Sequence, residues 1–269
     1  MSRSIQLKED GNRHFQAGDF VGADSLYSKA ILADPKNQAL FTNRAMARLR
    51  LHLWDSVISD CNACLALGSN MKAYYYLSQA QLAIGDYDAA LYNARNAHSL
   101  CVLANDKSLA AVTAMVLRCK RDRWADLERK RKRQGQDLEQ ELLELLGRRR
   151  DELLAAETND IERNSIQDET VYKMMLLQQV FERGRTQSEQ LRHVPEWAID
   201  DISFSVMVDP VITKTGKSYE RASIMEHLRR NCTDPLTREP LMPGDLRPNL
   251  GLRQACEEYL ERNGWAVDW

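Results

Sequence analysis

Several side chains in the first eighty residues are of the types that grip a carboxylate, and their spacing places them on common faces. Lys8 and Asn12 stand four apart, Asn43 and Arg50 two turns apart, and Lys72, Tyr76 and Gln79 succeed one another at spacings of four and three. Residues three, four and seven apart share one side of a helix. Cations and carboxamides converging on one surface suit an extended, acidic ligand ending in a carboxylate, held by charge-assisted hydrogen bonds. Taken singly, each residue is also what any solvated helix face carries. Their shared phase gives the pattern its weight.

The six cysteines, at 61, 64, 101, 119, 232 and 256, do not make the compact framework of a small disulfide-stapled domain. Cys61 and Cys64 form a C-x-x-C, for which a redox or metal role is one reading. Helical repeat periodicity offers the other, as small residues on a packing face. Between Pro195 and Trp269 the Cys and His residues are His227, Cys232 and Cys256. Two zinc sites would need about eight such ligands, so counting excludes a cross-brace zinc fold. The expectation is no metal and no cofactor, with buried hydrogen bonds and salt bridges holding the last domain together.

The elements that must position the cationic face come from an internal repeat. Gly11, Ala45 and Ser78 share one phase, Phe20, Trp54 and Tyr87 a second, Ala23, Val57 and Ala90 a third, and Ala30, Cys64 and Ala97 a fourth. Small residues recur where two helices approach closely, and aromatics where a gap is filled. "GDF" at Gly18–Phe20 returns as "GDY" at Gly85–Tyr87, and Pro35 falls where a second helix ends. The pattern predicts paired antiparallel helices stacked into a curved array, the groove lined by the first helix of each pair. The array is expected over 1–117.

From 118 to 194 the chain is charge-rich and nearly proline-free, and two long helices forming a hairpin are expected. Leu138, Leu142 and Leu145 have coiled-coil spacing, Met174, Leu177 and Phe181 repeat it, and Thr158-Asn159-Asp160 breaks the run and caps the second helix. Such seams need cover, and a symmetric dimer or a spacer packed on itself both provide it. The run Arg129–Arg133 reads as a nuclear address or as a solvated face.

After Pro195 the texture is that of a small α+β domain, 195–269, of the order of seventy residues and marginal alone. "ISFSVMVDPVIT" supplies the first strands, with Pro210 ending a stretch, "KTGKSYE" a hairpin through Gly216, and "RASIMEHLRR" a helix with Ile224, Leu228 and His227 inward.

Two resemblances emerge from these motifs. "LKEDGNRHF", "TNRA" and "KAYYYLSQAQ" resemble the carboxylate-clamp class of tetratricopeptide domains, which grips the Glu-Glu-Val-Asp tails of 70- and 90-kDa heat-shock chaperones. The resemblance implies that Lys8, Asn12, Asn43 and Lys72 hold the terminal carboxylates, with Arg50 helping and Phe15, Met46 and Tyr76 as an apolar shelf. In that family an acid on the helix after the third repeat completes the pocket. Here Ala111 stands at that position and Asp106 is the nearest acid. "ISFSVMVDPV", "SYER", "I-x-x-HL", "DPLTREPL" and "RPNLGL" resemble the U-box, the zinc-free relative of the RING finger. That implies docking of a ubiquitin-conjugating enzyme on Ile202, Phe204 and Pro235. It also implies a linchpin role for Arg238 toward both that enzyme and ubiquitin, with no covalent intermediate. The order of modules resembles the chaperone-associated tetratricopeptide-repeat/U-box ubiquitin ligases. The resemblance implies a mainly α chain that marks misfolded, chaperone-bound clients for the proteasome.

A net charge of −2 argues against a general nucleic-acid binder, and no apolar run approaches the ~20 residues that cross a bilayer. With a polar start lacking a signal-peptide core, the cytosol or nucleus is expected. Two rival readings, a pure adaptor and a nuclear scaffold, are disfavoured by Arg238 and by the clamp residues respectively.

Overall fold

The computed structural model describes residues 3–189 and 193–269. One compact unit comprises 1–124 and 196–269, and a second comprises 125–195.

In the first unit, six helices form three antiparallel pairs: α1 (Arg3–Gln16) with α2 (Phe20–Ala33), α3 (Gln38–Arg50) with α4 (Trp54–Leu67), and α5 (Met71–Ala83) with α6 (Tyr87–Leu103). The phased residues sit as their sizes require. Ala23, Val57 and Ala90 are fully buried, as are Ala30, Cys64 and Ala97. At Gly11 a Cβ would come within 2.6 Å of the Tyr27 ring, so only glycine admits that buried aromatic. In "GDF" and "GDY" the aspartates are N-caps: Asp19 accepts from Gly22 N at 2.8 Å and Asp86 from Ala89 N at 3.3 Å. Asn37 and Asn70 cap α3 and α5 in the same way. An ion network ties the first two pairs together. Arg44 and Arg48 share the buried Asp60, at 2.6 and 3.0 Å, and Arg48 also reaches Asp24 at 2.6 Å.

α7 (Leu109–Ala156) crosses the expected boundary at 117/118 as one continuous helix. Its first turns cover the array, with Met115, Val116 and Cys119 packed against Leu91 and Ala94 of α6.

The C-terminal part of this unit is a three-stranded antiparallel sheet, in the order β2–β1–β3, with two helices. β1 (Pro210–Ile212) pairs with β2 (Ser218–Glu220) and β3 (Arg247–Pro248); α9 (Arg221–Leu228) and α10 (Leu250–Arg262) pack on it. Pro210 opens β1 and does not end a stretch as the sequence suggested: proline suits the first residue of a strand, where its missing N–H costs the ladder little. Val211, Tyr219, Ile224, Leu228, Leu241 and Leu246 form the core. This domain is seated on the array. Ala222 packs with Ala97, Cys101, Leu109 and Val112, and Val208 joins the α6–α7 cluster. Trp124 Nε1 donates to the Arg262 carbonyl at 3.0 Å, and Gly264 lies so close to the Trp124 ring that a Cβ would not fit.

In the second unit, the remainder of α7 turns back as α8 (Asp160–Glu189). Asn159 is the N-cap, accepting from Ile161 N at 3.0 Å, and the Met174 methyl lies over Gly147. The expected hairpin, 118–194, runs through residues 190–192, which lie outside the described residues. Leu142, Met174, Leu177 and Phe181 are half-buried, whereas Leu138 and Leu145 are exposed. The inward stripe of α7 advances instead through Leu142, Leu143, Leu146, Gly147 and Leu154. Leu138 and Leu145 fall on the flank of that stripe. Among the described residues, no helix is long and apolar enough to cross a membrane.

Candidate functional site

The groove is built by α1, α3 and α5, and two contacts fix how these helices face one another. Asn43 Nδ2 donates to Asn12 Oδ1 at 3.2 Å, an oxygen that also accepts from Tyr27 OH at 2.8 Å. Tyr76 OH donates to Met46 Sδ at 3.3 Å. The structure therefore brings Asn12 to Asn43 and Met46 to Tyr76. Among the described residues the second amide hydrogen of Asn43 has no hydrogen-bond partner.

Phe15 is half-buried, stacked edge-on to Phe20 and packed with Ala23, Tyr27 and Ala47, so it belongs partly to the core. Gln79 is half-buried on α5. Lys8 is partly exposed, while Lys72 and Arg50 are exposed. The arginines on the packing side of α3 are consumed by Asp24 and Asp60. Among the described residues, Lys8, Arg50 and Lys72 have no ion-pair partner within 4.0 Å. Lys8 stands one helical turn from Asn12, and cations with no internal counter-charge are available to an anion.

Ala111 is exposed on α7. Asp106 is committed to the start of that helix, accepting from Ser108 N at 2.7 Å. Its pKa is lowered first by that N–H and the Ser108 hydroxyl, with Lys72 adding a smaller electrostatic pull. The sequence offered Asp106 as a candidate acid, and its proximity to the Lys72 charge is what the fold adds.

At the other end, two loops share one design offset by 34 residues. In the first, Asp200 N donates to Ser205 O and Phe204 N returns to Asp200 O, at 2.9 and 2.8 Å. In the second, Asp234 N donates to Glu239 O and Arg238 N returns to Asp234 O, at 2.8 and 2.9 Å. Isolated bridges Ile199–Val206 and Thr233–Pro240 close the two loops at equivalent positions. Each aspartate is buried and used as a staple. Asp200 accepts from Ser203 N, Ser203 Oγ and Glu220 N at 2.7–2.9 Å. Asp234 accepts from Tyr219 OH at 3.0 Å, Leu236 N at 2.9 Å, Thr237 N at 3.2 Å and Thr215 Oγ1 at 3.2 Å. Neighbouring residues of β2, Tyr219 and Glu220, thus anchor both loops.

The strain falls on the residue four after each aspartate. Phe204 has φ +56° and Arg238 φ +61°, left-handed conformations that cost a side-chain-bearing residue roughly 1–3 kcal/mol. Both side chains are presented to solvent. Phe204 is 72% exposed, and the Arg238 guanidinium has no ion pair among the described residues. Ile202 is half-buried and also packs on the domain core, whereas Pro235 is exposed. Leu236, the counterpart of Ile202, is 67% exposed and was missed from sequence. Aligning "DDISFS" with "DPLTRE" would have found it.

Thiol chemistry is disfavoured at the buried cysteines. Burial pushes Cys64 and Cys256 up to about 11 and Cys119 to about 12, and raises Cys61 and Cys101. What the loops offer is a strained, exposed apolar and cationic platform, suited to binding and orienting another protein.

A platform on two carboxylate-stapled loops, seated on a helical repeat array, defines a repeat-containing U-box protein. The U-box domain family matches residues 194–265. Along its length the chain is similar to "E3 ubiquitin-protein ligase CHIP" of Arabidopsis thaliana, with 29% identity over 267 residues, covering 97% of this chain and 94% of that protein. The chain therefore carries a U-box domain and is similar along its whole length to a ubiquitin-protein ligase. A shorter match is to "Ubiquitin conjugation factor E4" of Schizosaccharomyces pombe, 35% over 77 residues, 28% of this chain and 8% of that one. Among solved structures, "First TPR of Spaghetti (RPAP3) bound to HSP90 peptide SRMEEVD" is 36% identical. It covers 36% of this chain and 79% of that one, with a TM-score of 0.36.

Proposed function

We propose that this chain is a ubiquitin-protein ligase and co-chaperone. Its groove receives the acidic C-terminal tails of the 70- and 90-kDa heat-shock chaperones. Its U-box loops hold a ubiquitin-conjugating enzyme, so that lysines of misfolded, chaperone-bound clients take ubiquitin and the clients go to the proteasome. The observation that carries the reading is the Asn12–Asn43 carboxamide contact between α1 and α3, with Lys8 one turn from Asn12 and, among the described residues, Lys8, Arg50 and Lys72 without ion pairs. A Glu-Glu-Val-Asp tail supplies the missing carboxylates. At the U-box, Ile202, Phe204, Pro235 and Leu236 form the apolar docking surface. Arg238 stands free to hydrogen-bond both conjugating enzyme and ubiquitin, holding the thioester in a pose ready for attack. Catalysis is by orientation.

The test is reconstituted ubiquitylation of a 70-kDa chaperone with ubiquitin, activating enzyme and a panel of conjugating enzymes. Wild type is compared with Lys8→Ala and Phe204→Ala. Both variants should lose chaperone modification, and Lys8→Ala should weaken tail-peptide binding by roughly 1.5–3 kcal/mol. Tail affinity unchanged in Lys8→Ala sinks the clamp. Tail binding without transfer by any conjugating enzyme makes the chain an adaptor.

The hairpin is the proposed dimerisation element, a coiled coil between two copies. Tyr172, Leu176 and Val180 succeed one another at i,i+4 on α8 and remain exposed, as do Leu138 and Leu145 on α7. An apolar flank of this kind on a solvated hairpin favours association. The proposed place of work is the cytoplasm, with the Arg129–Arg133 run as a nuclear address to be tested by imaging the tagged protein.

A further inference from the structure

Between the U-box and the array lies a polar space of about 170 Å³. Arg95 and His98 of α6, Lys120 of α7, and Arg253 and Glu257 of α10 line it. Its charge is unbalanced. Glu257 is engaged by Arg95, and Asp209 behind the wall is shared by Arg221 at 2.6 Å and Arg253 at 3.8 Å. Lys120 is only 8% exposed, and among the described residues its ammonium has no ion pair within 4.0 Å. His98 is 5% exposed, and its Nε2 has no hydrogen-bond partner. With Arg95 on Glu257 and the half-exposed Arg253 reaching the shared Asp209, Lys120 is the lining cation that, among the described residues, is buried with no ion pair. A buried charge without a counter-charge is costly, and an orphaned buried imidazole nitrogen points to something that fills the space. Burial pulls Lys120 down to about 8, which still leaves it mainly cationic at neutral pH.

We propose that this cavity is a small-anion site, taking a free oxyanion of the phosphate class between Lys120, His98, Arg95 and Arg253. The Lys120 ammonium and the His98 Nε2–H donate to the oxyanion. Arg95 and Arg253 complete its shell from the two sides of the module boundary. Because α6 and α7 contribute one half of the shell and α10 the other, occupancy fastens the U-box to the array. The site is independent of both the tail groove and the conjugating-enzyme platform.

The experiment is calorimetric titration of inorganic phosphate into the full chain at pH 7, ionic strength held constant with sodium chloride. Wild type is compared with Lys120→Met, Arg253→Gln and, as control, the exposed Lys36→Met. The expected result is saturable binding of one phosphate per chain. It should weaken at least about tenfold in Lys120→Met and Arg253→Gln, the loss of one charge-assisted hydrogen bond, and stay unchanged in Lys36→Met. Without phosphate, Lys120→Met should melt above wild type, because an unpaired buried charge has been replaced by an apolar chain of similar length. Added phosphate should raise the wild-type melting temperature and leave the variant's in place. Absence of saturable heat in wild type, or wild-type affinity retained in both Lys120→Met and Arg253→Gln, overturns the proposal. Arg253 is half exposed and its glutamine variant should fold, so it decides the matter if Lys120→Met does not.

Discussion

Removing one hydroxyl should separate the scaffold of the platform from its contact residues. Tyr219→Phe keeps the buried ring and deletes the O–H that donates to Asp234 at 3.0 Å. The acceptor is charged. Burial opposes its ionisation, but the Leu236 and Thr237 N–H groups and the Tyr219 and Thr215 hydroxyls outweigh that and hold its pKa below the usual 3.8. A hydrogen bond to a charged group contributes roughly 1.5–3 kcal/mol. At about 2–4 °C per kcal/mol for a cooperative unit of 150–250 residues, Tm should fall by roughly 3–12 °C. A carboxylate with a depressed folded pKa contributes stability above its unfolded pKa and loses it as pH falls through the folded value. The gap between wild type and variant should therefore narrow as the pH is taken below 3.8. Thermal melts followed by circular dichroism give the stability. Single-turnover discharge of ubiquitin from a charged conjugating enzyme gives the activity, which should fall because Asp234 sets the turn that carries Arg238. A Tm within about 1 °C of wild type would falsify the staple. A lowered Tm with unaltered discharge would detach the second loop from the platform.

Three further substitutions probe separate features. Phe204→Gly releases the left-handed strain at φ +56°; Tm should hold or rise by up to a few degrees while discharge collapses, and a fall in Tm would mean that Phe204 is a core residue. Burial pushes Glu220 up to about 7, so its ionisation is a penalty that grows as pH rises from 4.5 to 7. Glu220→Gln keeps an acceptor for Val208 N and Asp209 N and should be more stable than wild type at pH 8 by roughly 1–3 kcal/mol, with no advantage at pH 4.5; equal melts at pH 8 would refute this. Leu145→Glu with Val180→Lys places charges on the exposed flank of the hairpin. Light scattering should then report a halved mass, and an unchanged mass moves any dimer interface elsewhere.

The repeat array was legible because its constraint is periodic. A helix that must approach another at Gly11, Ala45 and Ser78 needs a small residue at each, and spacings of 34 and 33 betray that from a single chain. That Asn12 would face Asn43 and Met46 would face Tyr76 was legible for the same reason, since phase fixes which side of a helix a residue occupies. The network of Arg44, Arg48, Asp24 and Asp60 escaped because ion pairs between helices have no local spacing rule. The loop staples escaped for a different reason. "DDISFS" and "DPLTRE" are built alike, but sequence shows the aspartates only as polar loop residues, and their burial becomes visible once β2 is placed beneath both. Pro210 was misread because a proline marks a strand start as readily as a stretch end. In the hairpin, spacing identified an apolar stripe, but the inward face advanced past Leu138 and Leu145.

The two functional ends lie on one compact unit, and the packing explains what that does for a ligase without a nucleophile. Orientation catalysis is only as good as the rigidity with which the partners are held. Phe204 and Arg238 are held by backbone strain that two buried carboxylates enforce, so the local geometry does not depend on the bound enzyme to create it. The U-box is seated on α6 and α7 through Val208, Ala222, Trp124 and Gly264. The same α6 packs against α5, the helix that carries Lys72 and Tyr76. On the proposed function, a tail at α5 is joined to the U-box through one packed cluster, in which Met71, Tyr74 and Tyr75 of α5 meet Ala97 and Cys101 of α6 and Ala222 of the U-box. Loosening that seat should slow transfer to a tethered client more than it slows discharge to free lysine. Gly264 is the position to use, because Gly264→Ala drives a methyl into Trp124 without touching groove or loops. Equal losses on both substrates would show that the seat carries no information between the ends.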